Sequence, residues 1–292
     1  MPVAQINGVE TYYEVNGTGV PALFIHGGYG GAATTLVPQP ATVVTILPPD
    51  RVRTIVYDRR SAGRTAYVHE PYSLSDLAAD AAGLLDQLGH ERAIIIGSSA
   101  GGPIALQFAL TYPDRVIGLG LPNTGANLSS TERAVGRERR TLLSRARAEG
   151  DRAIFSERMA RLRTAPAPGA SPDPEAVARA EERQRQVQAA LDQVSEDDLY
   201  CYFRGELRNY GAYIDVDLTP RLNELRMPVC IIHGDADAVL PFIWGEALHR
   251  GIPGSEFHAI VGGGHGILQW PAAANALRDW VLRTIMGVPS GQ

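Results

Sequence analysis

The stretch "AIIIGSSAGGPIALQFAL", residues 93–110, runs from a continuous apolar segment through a corner of small residues into an apolar pattern of helical period. A short β-branched run that ends at glycine reads as a strand buried on both faces, and the pattern after Gly101 reads as a helix. Gly97, Ser99 and Gly101 spell G-x-S-x-G across the corner, a strand-to-helix turn that strains its central residue and exposes that side chain at the sheet edge. Spacing therefore selects Ser99 over Ser98 as the presented hydroxyl. Crowding around such a turn demands small neighbours, which Gly97, Ala100, Gly101 and Gly102 supply. The helix that follows aims its first N–H groups at the place where negative charge develops during acyl transfer.

A serine hydroxyl is a weak nucleophile alone; it needs a base to take its proton and an acid to orient that base. Seven histidines are available. His26 and His233 end strands and precede glycine, where they shape loops. His69, His90 and His249 lie in polar contexts, and His258 falls inside a strand pattern. His265 differs, because "VGGGHG" releases it from the last expected strand into a glycine loop free to approach the sheet's carboxyl edge. For the acid, "IIHGDADAVLP" offers Asp235 and Asp237 just past a strand, and either could cap a turn. The chain order serine, aspartate, histidine is the one expected for this kind of sheet, so one of the two is the orienting acid.

Around these motifs, short apolar or alternating runs recur: "VAQI", "TYYEV", "PALFIHG", "RTIVYD", "RAIIIG" and "RVIGLGL". Helical patterns lie between the later runs, among them "SLSDLAADAAGLLDQLG", with Ser73 as N-cap, Asp76 at the third helical position and Gly89 as a stop. Alternation of this kind predicts a mostly parallel sheet with helices on both faces. The first two runs, separated by "NGVE", predict an antiparallel start. From about Ser129 to Pro220 the chain turns into Arg/Glu/Ala-rich helices around the linker "TAPAPGASPDP", and strand-helix alternation then returns.

A length of 292 residues suffices for a large α/β domain with a sizeable core. The formal net charge of -5 gives no electrostatic footprint for nucleic acid or for an anionic membrane surface. The amino terminus lacks a basic and apolar leader pattern, and no stretch stays apolar for about 18 residues, so a cytoplasmic protein without a membrane span is expected. The two cysteines, Cys201 and Cys230, support neither a disulfide framework nor a metal site. "ALFIHGGYGGAA", residues 22–33, with Asp58 beyond it, also fits the outline of a dinucleotide-binding turn. Pro38 and Pro40 break the long helix such a turn wants, and Asp58 lies beyond the usual spacing.

Together these motifs make the chain resemble the α/β-hydrolase superfamily over nearly its whole length. The family pattern H-G-x-x-D-x-x-x-P falls on His233, Gly234, Asp237 and Pro241, which favours Asp237 over Asp235. Its D-x-R-G-x-G-x-S motif is approximated by "DRRSAGRT", residues 58–65, with Ser61 in place of glycine and Thr65 in place of serine. Its H-G-G turn falls on "HGGYGG", and the resemblance implies an oxyanion hole from the Gly28 and Ala100 N–H groups, with Tyr29 as the alternative supplier. It further implies an α/β-hydrolase core over 1–128 and 221–292 and an inserted helical cap, or lid, over 129–220. Within the cap, Tyr200, Phe203 and Tyr210 are candidates for lining a substrate pocket, the competing reading being that they form the cap's own core.

The implied activity is that of a serine hydrolase cleaving a small or medium ester or lactone through an acyl-enzyme on Ser99, similar to the esterase, lactonase and cofactor-free perhydrolase group. "HGGYGG" is also similar to the proline iminopeptidase turn, with Tyr29 standing where proline is usual, so an amide hydrolase is the alternative, as is a non-hydrolytic catalyst or acyltransferase on the same fold. The expected partner is a small-molecule carbonyl substrate, with no nucleic acid, membrane, metal or cofactor. A homo-oligomer is left open.

Overall fold

The computed structural model describes residues 2–36, 41–130, 134–164 and 174–287. Eight strands form one sheet: β1 Val3–Ile6, β2 Val9–Asn16, β3 Val20–Ile25, β4 Val52–Tyr57, β5 Ala93–Gly97, β6 Val116–Pro122, β7 Val229–Gly234 and β8 Glu256–Ile260. Their spatial order is β1-β2-β4-β3-β5-β6-β7-β8, antiparallel at the β1–β2 and β2–β4 pairs and parallel from there on. The antiparallel start comes from a two-residue hairpin: Asn7 and Gly8 both adopt positive φ, 49° and 79°, the type I′ geometry whose twist matches its strands.

The described helices are α1 Ala32–Leu36, α2 Val43–Ile46, α3 Leu74–Gln87, α4 Gly101–Thr111, α5 Ala134–Glu149, α6 Asp151–Thr164, α7 Pro174–Leu191, α8 Glu196–Tyr213, α9 Ile243–Gly251 and α10 Pro271–Met286. The parallel strands read as unbroken apolar runs because their alternate residues enter different cores. Leu23, Ile25, Ile95 and Ile231 face α3, α4 and α9, whereas Phe24, Ile94, Ile96 and Ile232 face α2 and α10. At the start of α3, Ser73 accepts the Asp76 N–H and the Asp76 carboxylate accepts the Ser73 N–H, a reciprocal cap of the predicted kind.

Helices α5–α8 all lie between β6 and β7 in the chain and share a core of their own, built from Ile154, Phe155, Val187, Leu191, Leu199, Phe203 and Leu207. Gly150, at φ 89°, breaks the first Arg/Glu-rich stretch into α5 and α6. Most of the linker "TAPAPGASPDP" lies outside the described residues, as do Pro38 and Pro40. Against the dinucleotide outline, Asp58 spends its carboxylate on Arg64 at 2.7 Å.

Candidate active site

All three residues of the expected triad sit on loops at the carboxyl ends of parallel strands. Ser99 follows β5, Asp237 follows β7 and His265 follows β8. Ser99 holds φ at 50°, a left-handed conformation rare for a residue with a Cβ, and the turn around it is crowded. Gly97 fits because a Cβ there would lie 2.5 Å from the Gly101 carbonyl oxygen. Gly102 fits because a Cβ would lie 1.9 Å from the Thr124 hydroxyl. The corner therefore closes only with these small residues, and α4 starts directly behind the serine.

The Ser99 Oγ lies 3.0 Å from His265 Nε2, and His265 Nδ1 lies 2.9 Å from Asp237 Oδ2. The other carboxylate oxygen of Asp237 accepts the Val239 and Leu240 N–H groups at 2.8 and 2.9 Å, so the acid cannot rotate away from the imidazole. Burial alone would push the Asp237 carboxyl up, but the hydrogen bonds from His265 and Leu240 outweigh it and hold the group below its ordinary value. An ionised carboxylate on Nδ1–H fixes the tautomer that leaves Nε2 free to receive a proton. Asp235 goes elsewhere: its carboxylate accepts the Gly262 N–H at 2.6 Å, the turn-capping role open to either aspartate.

The Gly27–Gly28 corner lies against the nucleophile. A Cβ on Gly27 would sit 2.9 Å from Ser99 Cβ and 3.5 Å from Ser99 Oγ. Neither the Gly28 nor the Ala100 N–H has a hydrogen-bond partner among the described residues, whereas the carbonyls on the far side of both peptides are held. His26 Nδ1–H donates to the Gly27 oxygen at 2.7 Å, and the Thr124 hydroxyl donates to the Ser99 oxygen at 2.7 Å. A trans peptide points its N–H opposite to its carbonyl, so these anchors fix the direction of the two N–H groups. Burial, with the Arg59 charge beside it, lowers the His26 pKa to about 4, and the neutral ring accepts the Arg59 N–H on Nε2 at 3.4 Å. Tyr29 is held by its side chain, which accepts from Arg139 at 2.8 Å and packs its ring on Tyr210 and Tyr213.

Several residues that build this geometry were not singled out from the sequence. Asn123, fully buried at the end of β6, donates to the Gly264 and His265 carbonyls at 2.9 Å each and accepts the Gly234 N–H at 3.1 Å. One amide thus ties the histidine loop to the strand that carries the acid. The signal was present: "LPNTG" puts two polar side chains at the carboxyl end of a central strand, the edge at which parallel sheets assemble their sites. In "DRRSAGRT", Ser61 takes the left-handed φ of 57° in the place where the family pattern has glycine. Thr65 supplies the hydroxyl that the family's serine would, donating to the Asp58 carbonyl at 2.5 Å and accepting the Tyr12 N–H at 2.9 Å.

A cavity of about 740 Å³ opens beside the site, reaching His26, Gly27, Gly28, Ser98 and His265, with Phe24, Val44, Val56, Ile267 and Leu268 on its apolar side. None of Tyr200, Phe203 and Tyr210 lines it. Phe203 is 4% exposed within the core of α5–α8, and Tyr200 packs edge-on against Phe155. Tyr210 lies against Tyr29 and donates its hydroxyl to Glu206. Among the described residues no cluster of His, Cys, Asp and Glu has the makings of a metal site, and no helix is long and apolar enough to cross a membrane.

Residues 21–272 match the family model described as alpha/beta hydrolase fold. A relative from Azorhizobium caulinodans, named carbamate hydrolase RutD, is 28% identical over 274 residues, covering 91% of each chain. A relative from Leptolyngbya boryana, named as a proline iminopeptidase, is 32% identical over 123 residues, which cover 41% of this chain and 36% of that one. Among solved structures, a thermophilic esterase from Thermogutta terrifontis superposes with a TM-score of 0.71 at 27% identity, over 97% of this chain and 99% of that one.

Proposed function

This chain belongs to the α/β-hydrolase fold family and is a hydrolase of that fold, and from this premise we propose that it cleaves a small or medium ester or lactone through an acyl-enzyme on Ser99. The observation that carries the proposal is the unbroken relay from Ser99 Oγ to His265 Nε2 at 3.0 Å and from His265 Nδ1 to Asp237 at 2.9 Å. In this reading Ser99 Oγ bonds to the substrate carbonyl carbon while its proton passes to His265 Nε2, and the carbonyl π pair moves onto oxygen. The Gly28 and Ala100 N–H groups receive that oxyanion. Collapse expels the leaving-group oxygen, which takes the proton from His265. Water then repeats the sequence on the acyl-enzyme and releases the acid. The apolar wall of the cavity suits a hydrocarbon acyl or alcohol portion.

Residues 129–220 act in this proposal as a cap over a core formed by 1–128 and 221–292, supported by the separate cluster that α5–α8 share. Tyr200, Phe203 and Tyr210 then serve the cap's structure rather than the substrate. A cytoplasmic enzyme is the location we infer. A second reading, cleavage of a carbamate or amide, is favoured by the relatives' names, carbamate hydrolase and proline iminopeptidase. A panel of p-nitrophenyl esters, lactones, carbamates and prolyl amides, run on wild type and Ser99→Ala, tests both. Highest kcat/KM on an ester or lactone, lost in the variant, is expected. Selective turnover of carbamates or amides would move the assignment to the second reading, and full activity without the serine would sink both.

A further inference from the structure

Three arginines occur in "DRRSAGRT", and two of them have carboxylate partners. Arg60 forks onto Asp80 at 2.5 and 2.6 Å, and Arg64 pairs with Asp58 at 2.7 Å and Glu14 at 3.0 Å. Arg59 is the most deeply buried of the three, 1% exposed, and no described carboxylate pairs with it. Its guanidinium donates instead to neutral oxygens: the Tyr213 hydroxyl at 2.7 Å, the Gly27 carbonyl at 3.4 Å and the Gly28 carbonyl at a shorter distance. The Tyr213 hydroxyl in turn donates to the Ala100 carbonyl at 2.6 Å. A guanidinium stays charged, and an unpaired buried charge is expensive in a low-dielectric interior. Both candidate oxyanion-hole segments, Gly27–Gly28 and Ala100, are therefore attached to one uncompensated cation.

We propose that Arg59 is a positioning residue of the oxyanion hole: it grips the Gly27 and Gly28 carbonyls so that the Gly28 N–H is presented to the reacting carbonyl oxygen, and its unpaired charge favours the tetrahedral oxyanion. The inference rests on the acyl-enzyme reading above. In the ground state the substrate oxygen is nearly neutral and the cation is unanswered. In the tetrahedral intermediate a full negative charge arrives on the opposite side of the peptide that Arg59 holds. The stabilisation is thus concentrated in the transition state, where it raises kcat rather than substrate affinity. Tyr213 extends the same grip to the strand-to-helix turn that carries Ser99, since α8 delivers its hydroxyl between Arg59 and Ala100.

The test compares wild type, Arg59→Met and Arg59→Lys, each checked for folding by its thermal transition, for kcat and KM on an activated ester and for the affinity of a trifluoromethyl ketone against that of a ground-state competitive inhibitor. The expected result for Arg59→Met is a loss of about 10²-fold in kcat with KM within about threefold, and a parallel loss for the ketone alone. Arg59→Lys, which keeps charge but not the fork, should fall between. Folded variants whose kcat and ketone affinity stay within about threefold of wild type would overturn the proposal, as would equal losses for both inhibitors. Should Arg59→Met not fold, Arg59→Lys and a crystal structure of the wild-type ketone adduct decide. The adduct oxygen must sit on the Gly28 and Ala100 N–H groups with Arg59 still on both glycine carbonyls, and an Arg59 that has let go is a refutation. A wild type with no Ser99-dependent turnover removes the acyl-enzyme reading and this inference together, whereas an active wild type with unaffected variants removes the inference alone.

Discussion

Asn123 carries more of the site than its anonymity in the sequence suggests. Its amide makes three hydrogen bonds that join the Gly264–His265 segment to Gly234, from a fully buried position at φ 41°. Asn123→Ala removes all three and strips their partner from two half-buried carbonyls and a buried N–H, at about 1–3 kcal/mol in stability. The histidine loop then loses its register relative to Ser99, and kcat should drop by about 10²-fold, since a displacement of about 1 Å is enough for that. Urea denaturation and steady-state kinetics would check both figures; an unchanged kcat would mean that the loop is positioned by something else. His26 makes a second residue-scale prediction. Its folded-state pKa of about 4 lies below its ordinary 6.5, so between those values the unfolded chain binds more protons than the folded one. Its contribution to stability is complete above pH 6.5 and is lost as the pH falls toward 4, by up to about 1.4 kcal/mol per pH unit. His26→Asn, whose amide can still donate to the Gly27 carbonyl, should flatten that part of the stability profile, and a profile identical to wild type would contradict the assignment.

Among the elements, α8 has two ends with different duties. Its C-terminal turn places Asn209 on the Ser61 carbonyl at 3.2 Å and Tyr213 on Arg59, and Ala212 and Tyr213 join the core beneath the sheet. Its middle belongs to the core that α5–α8 share, through Phe203 and Leu207. Phe203→Ala should therefore lower stability by about 3–5 kcal/mol while leaving the ranking of esters by acyl length unchanged. A thermal melt together with the ester panel reads both, and a changed ranking at unchanged stability would return Phe203 to the pocket. The sequence suggested its aromatic character but not its direction: a run such as "DDLYCYFRGELRNYGAY" has helical period, yet which side meets substrate depends on where neighbouring helices lie. The strands were easier to read. Burial on both faces makes β3, β5, β6 and β7 near-continuous apolar runs, and Ser73 with Asp76 marks the start of α3 by chemistry local to one turn.

At the scale of the molecule, the parallel sheet brings distant residues to one edge, and that explains which parts of the site were legible. The meeting of Ser99, Asp237 and His265 could be anticipated because each sits in a motif whose local geometry is set by adjacent glycines and a strand end. Arg59, Asn123, Thr124 and Tyr213 could not, because their partners are carbonyls contributed by other strands and loops, and no spacing in the chain encodes such meetings. Activation of the serine by the residues that surround it underlies every step proposed for this site. The most direct measurement is labelling with a fluorophosphonate, the adduct being located by peptide mass spectrometry in wild type, Ser99→Ala and His265→Ala. One adduct per chain is expected on Ser99, formed in step with loss of activity, with no adduct in Ser99→Ala and labelling slowed by orders of magnitude in His265→Ala. An adduct on another residue, or labelling at an undiminished rate without the imidazole, would contradict that activation.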